Sequence, residues 1–285
     1  MEEIAGAAHK YINHDMIRDH TSLPDFPELR TKLLRAFLAA AEASGPNRAA
    51  GDIVSIAVSL VQMGLDTHER VERTAKTITR QMTVLAGDYF SSRFYQLLSQ
   101  AGDVQSIGVL SESICEVNRM KMVLYGKAKK LLLTAEDYVR ATVDIKTHLY
   151  LSFTFWMEEM RRKAWPALVR AVAECELIAD DLSRLQSGNI RDGWAQWYVL
   201  EHGTSSERDA LLSGSAKKAE VDAMLQRYRI APQLTEMLET KLAELKGIVQ
   251  GIGPERFSDE IWRLVQPLFQ LSKHPVLNAL RENAR

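Results

Sequence analysis

The sequence predicts an all-α protein, and three observations predict it. Apolar residues recur at three- and four-residue spacing through most of the 285 residues. No segment alternates with period two for long enough to make a strand. The gaps between the periodic runs carry helix-stop and helix-start chemistry, as in Ser44-Gly45-Pro46, Ala101-Gly102-Asp103 and Gln186-Ser187-Gly188-Asn189. With no internal repeat and no low-complexity linker, a single domain over residues 1–285 is expected.

Taken in order, a first helix is expected from Glu2 to about Arg18, rather polar because of His9 and His14. Thr21 to Pro27 breaks it. Asp25 is placed to cap a helix from Phe26 to Ala43, with Leu33, Leu34, Phe37 and Leu38 on one face. The next helix runs from about Ala49 to Arg70, with Ile53, Ile56, Ala57, Leu60, Val61 and Gly64 inward. After a charged connection, Gln81 to Gln100 continues with Leu85, Tyr89, Phe94, Leu97 and Leu98 as its apolar side. Asp103 caps a helix bearing Ile107, Leu110, Ile114, Val117 and Met120 or Leu124.

Thr134 with Asp137 forms a capping pair that opens a helix to about Met160. Trp165-Pro166 starts the following one, because proline suits a first helical turn. Further helices are expected at about 190–201, 205–212, 216–228 and 231–250, and a last one from Ser258 to Leu271.

Composition narrows the function classes. Hydrophobic residues make up 46% and charged residues 26%, ordinary for a globular protein. A net charge of −1 gives no general attraction to nucleic acid or to an anionic membrane. No run approaches ~18 uninterrupted apolar residues, so no membrane span is expected. The start, Met-Glu-Glu-Ile-Ala, lacks the pattern of a signal peptide, and a cytoplasmic location is expected. Cys115 and Cys175 both read as buried free thiols.

The stretch from Leu60 to Tyr95 organises the rest. Two apolar helical runs flank a charged hinge, and the second presents Ala86-Gly87 at its start. A glycine within a helix costs ~1 kcal/mol against alanine unless a close approach of backbones offsets it, so these two helices are expected to pack tightly.

Leu65-Asp66-Thr67-His68, together with Arg80-Gln81-Met82-Thr83-Val84-Leu85-Ala86-Gly87-Asp88-Tyr89-Phe90, resembles the trans-polyprenyl diphosphate synthases. More closely it resembles the small subunit, component I, of the two-component heptaprenyl diphosphate synthases. The resemblance is dense across this stretch and thinner elsewhere. It implies the all-α isoprenoid synthase helical bundle. It also implies a role for Leu65, Asp66, Thr67, His68, Arg80, Gln81, Gly87, Asp88, Tyr89 and Phe90 in packing, in a product tunnel or in subunit contact. Such pairs occur in Gram-positive bacteria and make the menaquinone side chain.

Catalytic members of the wider family ionise an allylic diphosphate with Mg²⁺ held by two aspartate-rich motifs. Each motif has carboxylates at its first, second and fifth positions, which share one side of a helix. A histidine commonly precedes the first motif, and His68 fits that place. The motif positions then fall on Glu69, Arg70, Val71, Glu72 and Arg73, so the second and fifth carboxylates have become arginines. Arginine stays charged at neutral pH and repels a divalent ion. Starting at Asp66 instead gives Asp66-Thr67-His68-Glu69-Arg70, which is no better.

The second motif is a half: Asp180-Asp181-Leu182-Ser183-Arg184, again with arginine fifth. Lys146-Thr147 resembles the Lys-Thr pair that contacts substrate diphosphate in catalytic relatives. Lys146, Asp180 and Asp181 are therefore either remnants of a diphosphate and metal site or a solvated helix face with an Asp–Arg ion pair. Asp66, His68 and Glu69 could in principle bind a transition metal, although a lone histidine with scattered carboxylates is usually structural.

The resemblance thus implies a small, non-catalytic subunit that binds no cofactor itself. Its partner is a catalytic large subunit, component II, which carries Mg²⁺ and the growing prenyl diphosphate chain. Other readings stay open at this point: a self-sufficient prenyl synthase with degenerate motifs, a helical protein that binds a finished prenyl chain, and a generic helical interaction module.

Overall fold

The computed structural model describes residues 6, 11–39, 48–71, 77–186 and 188–271, and no strand occurs among them. The described helices are α1 (Asp15–His20), α2 (Glu28–Ala39), α3 (Arg48–Glu69), α4 (Thr77–Gln100), α5 (Val104–Lys129), α6 (Ala135–Leu151), α7 (Glu159–Gln186), α8 (Trp194–His202), α9 (Ser205–Ser213), α10 (Lys218–Arg227), α11 (Ile230–Gln250) and α12 (Glu255–Leu271). A 3-10 turn, Thr154–Trp156, lies between α6 and α7. The chain divides into two compact units, Met1–Val117 with His148–Trp165, and Asn118–Thr147 with Pro166–Arg285.

In the first unit, α3 packs along α4 and against α2. Leu33, Leu34, Phe37, Leu60, Val61, Met63, Phe90, Phe94 and Leu98 are fully buried, the three- and four-residue stripes of the sequence turned inward. Ile17 from α1 joins Met63, Ala86 and Phe90 in one apolar cluster. Two buried hydroxyls tie α2 to α3: Thr31 Oγ1 and Ser59 Oγ lie 2.5 Å apart, one donating to the other, and the hydroxyl that accepts donates its own proton to the carbonyl four residues back, Pro27 for Thr31 or Ser55 for Ser59. The predicted cap at Asp103 is present: its Oδ1 accepts from the Ser106 N–H at 3.0 Å.

Several expectations are corrected. The first helix is interrupted rather than continuous: Gly6, Tyr11 and Ile12 are helical, Asn13 and an extended His14 break it, and α1 follows from Asp15 to His20. α2 begins at Glu28 rather than Phe26, since a residue followed by proline is pushed out of the helical region and Phe26 precedes Pro27. The predicted stop at Ser44-Gly45-Pro46 lies outside the described residues. α4 starts at Thr77, and its inner face is Thr83, Ala86, Gly87, Phe90, Phe94, Leu97 and Leu98. Leu85, expected inward, is 58% exposed. It sits ~100° round the helix from Ala86, and the close approach at Ala86-Gly87 decides which side faces α3.

The long helix from Thr134 stops at Leu151 instead of Met160. The opening cap is as predicted, with Thr134 Oγ1 accepting from the Asp137 N–H at 3.0 Å. At the other end Ser152 Oγ and Thr154 Oγ1 hydrogen-bond the carbonyls of His148 and Leu151, offering the backbone an alternative to further helix. α7 then starts at Glu159 and carries Pro166 inside it. A mid-helix proline removes one helical hydrogen bond. Burial of the adjacent Trp165 offsets this: it is fully buried, its indole N–H donates to the Tyr150 carbonyl at 3.2 Å, and its ring packs 4.8 Å from that of Phe37.

In the second unit, α7 and α11 bury Leu168, Val172, Leu234, Leu238 and Leu245. Salt bridges Arg170–Asp144 at 2.6 Å and Lys241–Glu174 at 2.9 Å link α7 to α6 and α11. Cys175 is buried and burial pushes its thiol up to about 12, which makes it inert. Cys115 is exposed rather than buried, because the inner side of α5 there is Leu110, Ser113 and Val117.

α9 opens with a full capping box: the Thr204 side chain accepts from the Glu207 N–H, and Glu207 accepts from the Thr204 N–H at 2.9 Å. Glu207 also accepts from Tyr228 Oη at 2.7 Å and Arg227 at 2.6 Å. The Thr204 N–H bond, with the Tyr228 hydroxyl next, holds its carboxyl below the ordinary value. A carboxyl lowered on folding stabilises above its unfolded value and loses that contribution as pH falls through its folded value. Glu207→Gln keeps an acceptor for the Thr204 N–H and loses only the charge, so it is expected to lower stability by ~0.3–0.5 kcal/mol at neutral pH. The difference from wild type should shrink below pH 4.5, the unperturbed value. Urea midpoints of the two proteins at neutral and acidic pH check this.

Candidate functional site

The first candidate region is the α3–α4 contact. A Cβ built on Gly64 would collide with Ser91 Oγ and lie 3.0 Å from the Gly87 carbonyl and 3.1 Å from the Ser91 nitrogen, so the two backbones touch here. One on Gly87 would lie 2.6 Å from the His68 ring. His68 thus lies over Gly87, with Nε2 3.4 Å from Asp88 Oδ1. Leu65 and Thr67 are buried, and Thr67 Oγ1 donates to the Met63 carbonyl at 2.6 Å. Asp66 is half-buried and accepts from Gln62 Nε2 at 2.7 Å on its own helix. Phe90 is fully buried, and Tyr89 packs beside it, with Arg93 over its ring at 4.5 Å.

Glu69 and Arg70 are exposed at the end of α3, and the Arg70 guanidinium donates to the Leu23 carbonyl at 2.8 Å. Glu72 and Arg73 lie outside the described residues. Arg80 and Gln81 are exposed on the first turns of α4. The structure thus brings Leu65–His68 together with Gly87–Phe90, and leaves Arg80 and Gln81 on the surface.

The second region surrounds Asp181, which is 4% exposed. Its Oδ1 accepts from Arg184, one turn along α7, and its Oδ2 accepts from the Trp194 N–H at 3.0 Å. Trp194 is the first residue of α8, whose cap position is Gly193, without a side chain to do the capping. A Cβ on Gly193 would stand 2.7 Å from Asp181 Oδ1. Asp181 thus replaces the missing cap and sits at the positive end of α8.

Arg184 also reaches the carbonyls of Arg191 and Asp192 at 3.4 Å, and Tyr138 Oη donates to the Asp192 carbonyl at 2.6 Å. Burial raises the Asp181 carboxyl, against the pull of Arg184. Burial, with the Asp181 charge next, pushes Tyr138 up to about 12. The solvated-face reading fails for Asp181, since both carboxylate oxygens are engaged in a buried network. It holds for Asp180, which is exposed with Lys146 Nζ at 4.0 Å. Tyr138, Gly193 and Trp194 are not singled out by the sequence, and no local pattern marks them.

Residues 14–182, more than half of the chain, match the family described as heptaprenyl diphosphate synthase (HEPPP synthase) subunit 1. The chain belongs to this family. Heptaprenyl diphosphate synthase component 1 of Geobacillus stearothermophilus is 38% identical over 73 residues, which is 25% of this chain and 33% of that protein. The match spans only about a third of that relative's length.

Solved structures agree in architecture. Heptaprenyl diphosphate synthase from Staphylococcus aureus superposes with a TM-score of 0.69 at 12% identity, covering 96% of each chain. Geranylgeranyl pyrophosphate synthase from Lactobacillus brevis gives 0.74 at 12% identity over 94% of each. A polyprenyl synthase from Roseobacter denitrificans gives 0.68 at 17% identity over 94% of this chain and 93% of its own. At such identities the likeness shows the fold alone, and that fold is the all-α isoprenoid synthase bundle. Among the described residues of this family member, no helix is long and apolar enough to cross a membrane.

Proposed function

We propose that this chain is the non-catalytic small subunit of a two-chain heptaprenyl diphosphate synthase. In the cytoplasm it works with a catalytic large subunit to make the long prenyl diphosphate of the menaquinone side chain. The observation that carries the reading is the state of the two motif positions. At the first, Arg70 stands where a ligand carboxylate is needed and is turned to the Leu23 carbonyl. At the second, Asp181 is engaged on both oxygens by Arg184 and the Trp194 N–H.

These residues do not fit Mg²⁺, which needs several free oxygen ligands near one point. A guanidinium opposes a divalent ion at each motif position. The large subunit is assigned the metal and the bond-making chemistry. This chain completes the assembly and helps shape the apolar space for the product, with its α3–α4 contact and the Leu65–His68 and Gly87–Phe90 segments as its structural centre. The degenerate-enzyme reading requires a metal site from these same residues, and their engagement disfavours it.

Co-expression with a large subunit of this synthase class, with capture through this chain, tests the assignment. A stoichiometric complex is the expected result. Failure to retain any such subunit under conditions where both chains are folded would remove the reading.

A further inference from the structure

We propose that the cavity between the α7–α8 connection and the α9–α10 turn binds a phosphate or diphosphate group. The cavity measures about 280 Å³ and is lined from both segments, with Asn189, Arg191, Gln196 and Lys218 as its polar side chains. One water takes up ~30 Å³ in the liquid, so an anion of this size fits. Two cations cross the cavity in opposite directions. Arg191 leaves the α7–α8 connection and lies over Gly214, where a Cβ would stand 2.8 Å from its Nη2. Lys218, the first residue of α10, reaches back over Gly188, where a Cβ would stand 3.7 Å from its Cε. Both glycines have φ 70°, in the left-handed region, and each leaves the space of its missing side chain to the cation opposite.

The polar side chains here are donors. Asn189 Oδ1 accepts from the Arg191 N–H at 3.1 Å, and Gln196 Oε1 accepts from the Asp192 N–H at 2.8 Å. Each amide thus keeps its oxygen on the backbone and has its N–H₂ group left to offer. No salt bridge joins Arg191 or Lys218 to a carboxylate among the described residues. Asp192, Asp209, Glu220 and Asp222 are neighbours in sequence, but none lines the cavity, and Glu220 accepts from the Lys217 N–H at 2.8 Å. Two cations brought together without a carboxylate repel each other, and an anion between them relieves the repulsion. The N-terminal end of α10 adds its positive partial charge. A guanidinium fork, an ammonium and two amides suit an oxyanion with several oxygens and more than one charge. Arg191 and Lys218 are exposed, which leaves that anion an open path from solvent. Lys146 and Asp180 do not line this cavity, so the site is independent of both motif positions and of the subunit reading.

Calorimetric titration of the full chain with sodium diphosphate, inorganic phosphate and sodium acetate tests it, at constant ionic strength and without Mg²⁺. Diphosphate or phosphate should bind saturably with a dissociation constant of ~1 mM or tighter, and acetate at least ~10-fold more weakly. The tighter of the first two identifies the group the site takes. Arg191→Gln and Lys218→Gln should each weaken its binding by at least ~10-fold, the loss expected for a charge-assisted hydrogen bond. Both side chains are exposed, so melting temperatures should not fall. Lys217→Gln, one residue off the cavity, and Lys146→Gln, beside the second motif, should bind within ~2-fold of wild type, because solvent screens their charge. No saturable binding, equal binding of acetate, or unchanged binding by both cavity variants would overturn the proposal. A loss with Lys217→Gln as large as with Lys218→Gln would overturn it too, by showing only diffuse charge. So would a loss confined to Lys146→Gln, which would place the anion at the motif instead.

Discussion

Gly64→Leu is expected to destabilise the protein by ~3 kcal/mol or more, the upper range for overpacking a tight contact. Ser91 Oγ, which a Cβ at this position would strike first, could rotate away. The Gly87 carbonyl and the Ser91 nitrogen, at 3.0 and 3.1 Å, are backbone and cannot yield unless α3 and α4 separate. Separation would loosen Met63, Ala86 and Phe90 in the adjoining apolar cluster. Gly87 differs in kind: the obstacle at 2.6 Å is the His68 ring, which is 36% exposed and can swing outward. Gly87→Ala should therefore cost less than Gly64→Ala, while Gly87→Leu should approach the larger effect. Urea unfolding of the four variants measures the order, and a neutral Gly64→Leu would mean that the helices are not in backbone contact.

Asp181→Ala is expected to cost ~3–5 kcal/mol, as for removal of one partner from a buried ion pair. It strands the Trp194 N–H at the start of α8 and leaves Arg184 without its carboxylate. Asp180→Ala, on the exposed neighbour, should stay within ~0.5 kcal/mol, because a surface pair at 4.0 Å contributes little. Asp181→Asn should fall between them, since an amide oxygen still accepts from Trp194. If the two alanine variants unfolded alike, Asp181 would not be the cap of α8. A loss of prenyl transfer by Asp181→Ala therefore has to be read against its stability, whereas Asp180→Ala reports on substrate contact cleanly.

Much of this architecture is legible in the chain itself. The apolar spacing of α3, the caps at Asp103 and Thr134, and the placing of the late helices all follow from local chemistry, and the structure keeps them. The tight α3–α4 contact is readable from glycines in helical runs, since only close approach accounts for them. What escapes is non-local. Trp165-Pro166 looks like a helix start until the burial of Trp165 is known, and that burial depends on Phe37 and Tyr150 far along the chain. Leu85 looks inward by hydropathy, but the geometry at Ala86-Gly87 rotates it out. At the second motif, Asp180-Asp181 read as a matched pair, yet only the fold reveals that one faces water and the other closes a network with Tyr138, Arg184 and Trp194.

The most direct test of the subunit assignment is prenyl transfer in three parallel reactions containing this chain alone, a large subunit alone, and the two mixed, each with allylic diphosphate, isopentenyl diphosphate and Mg²⁺. Turnover is expected only in the mixture, with long-chain product. Robust turnover by this chain alone would contradict the account, because Arg70 and the engaged Asp181 would then have to serve a working metal site.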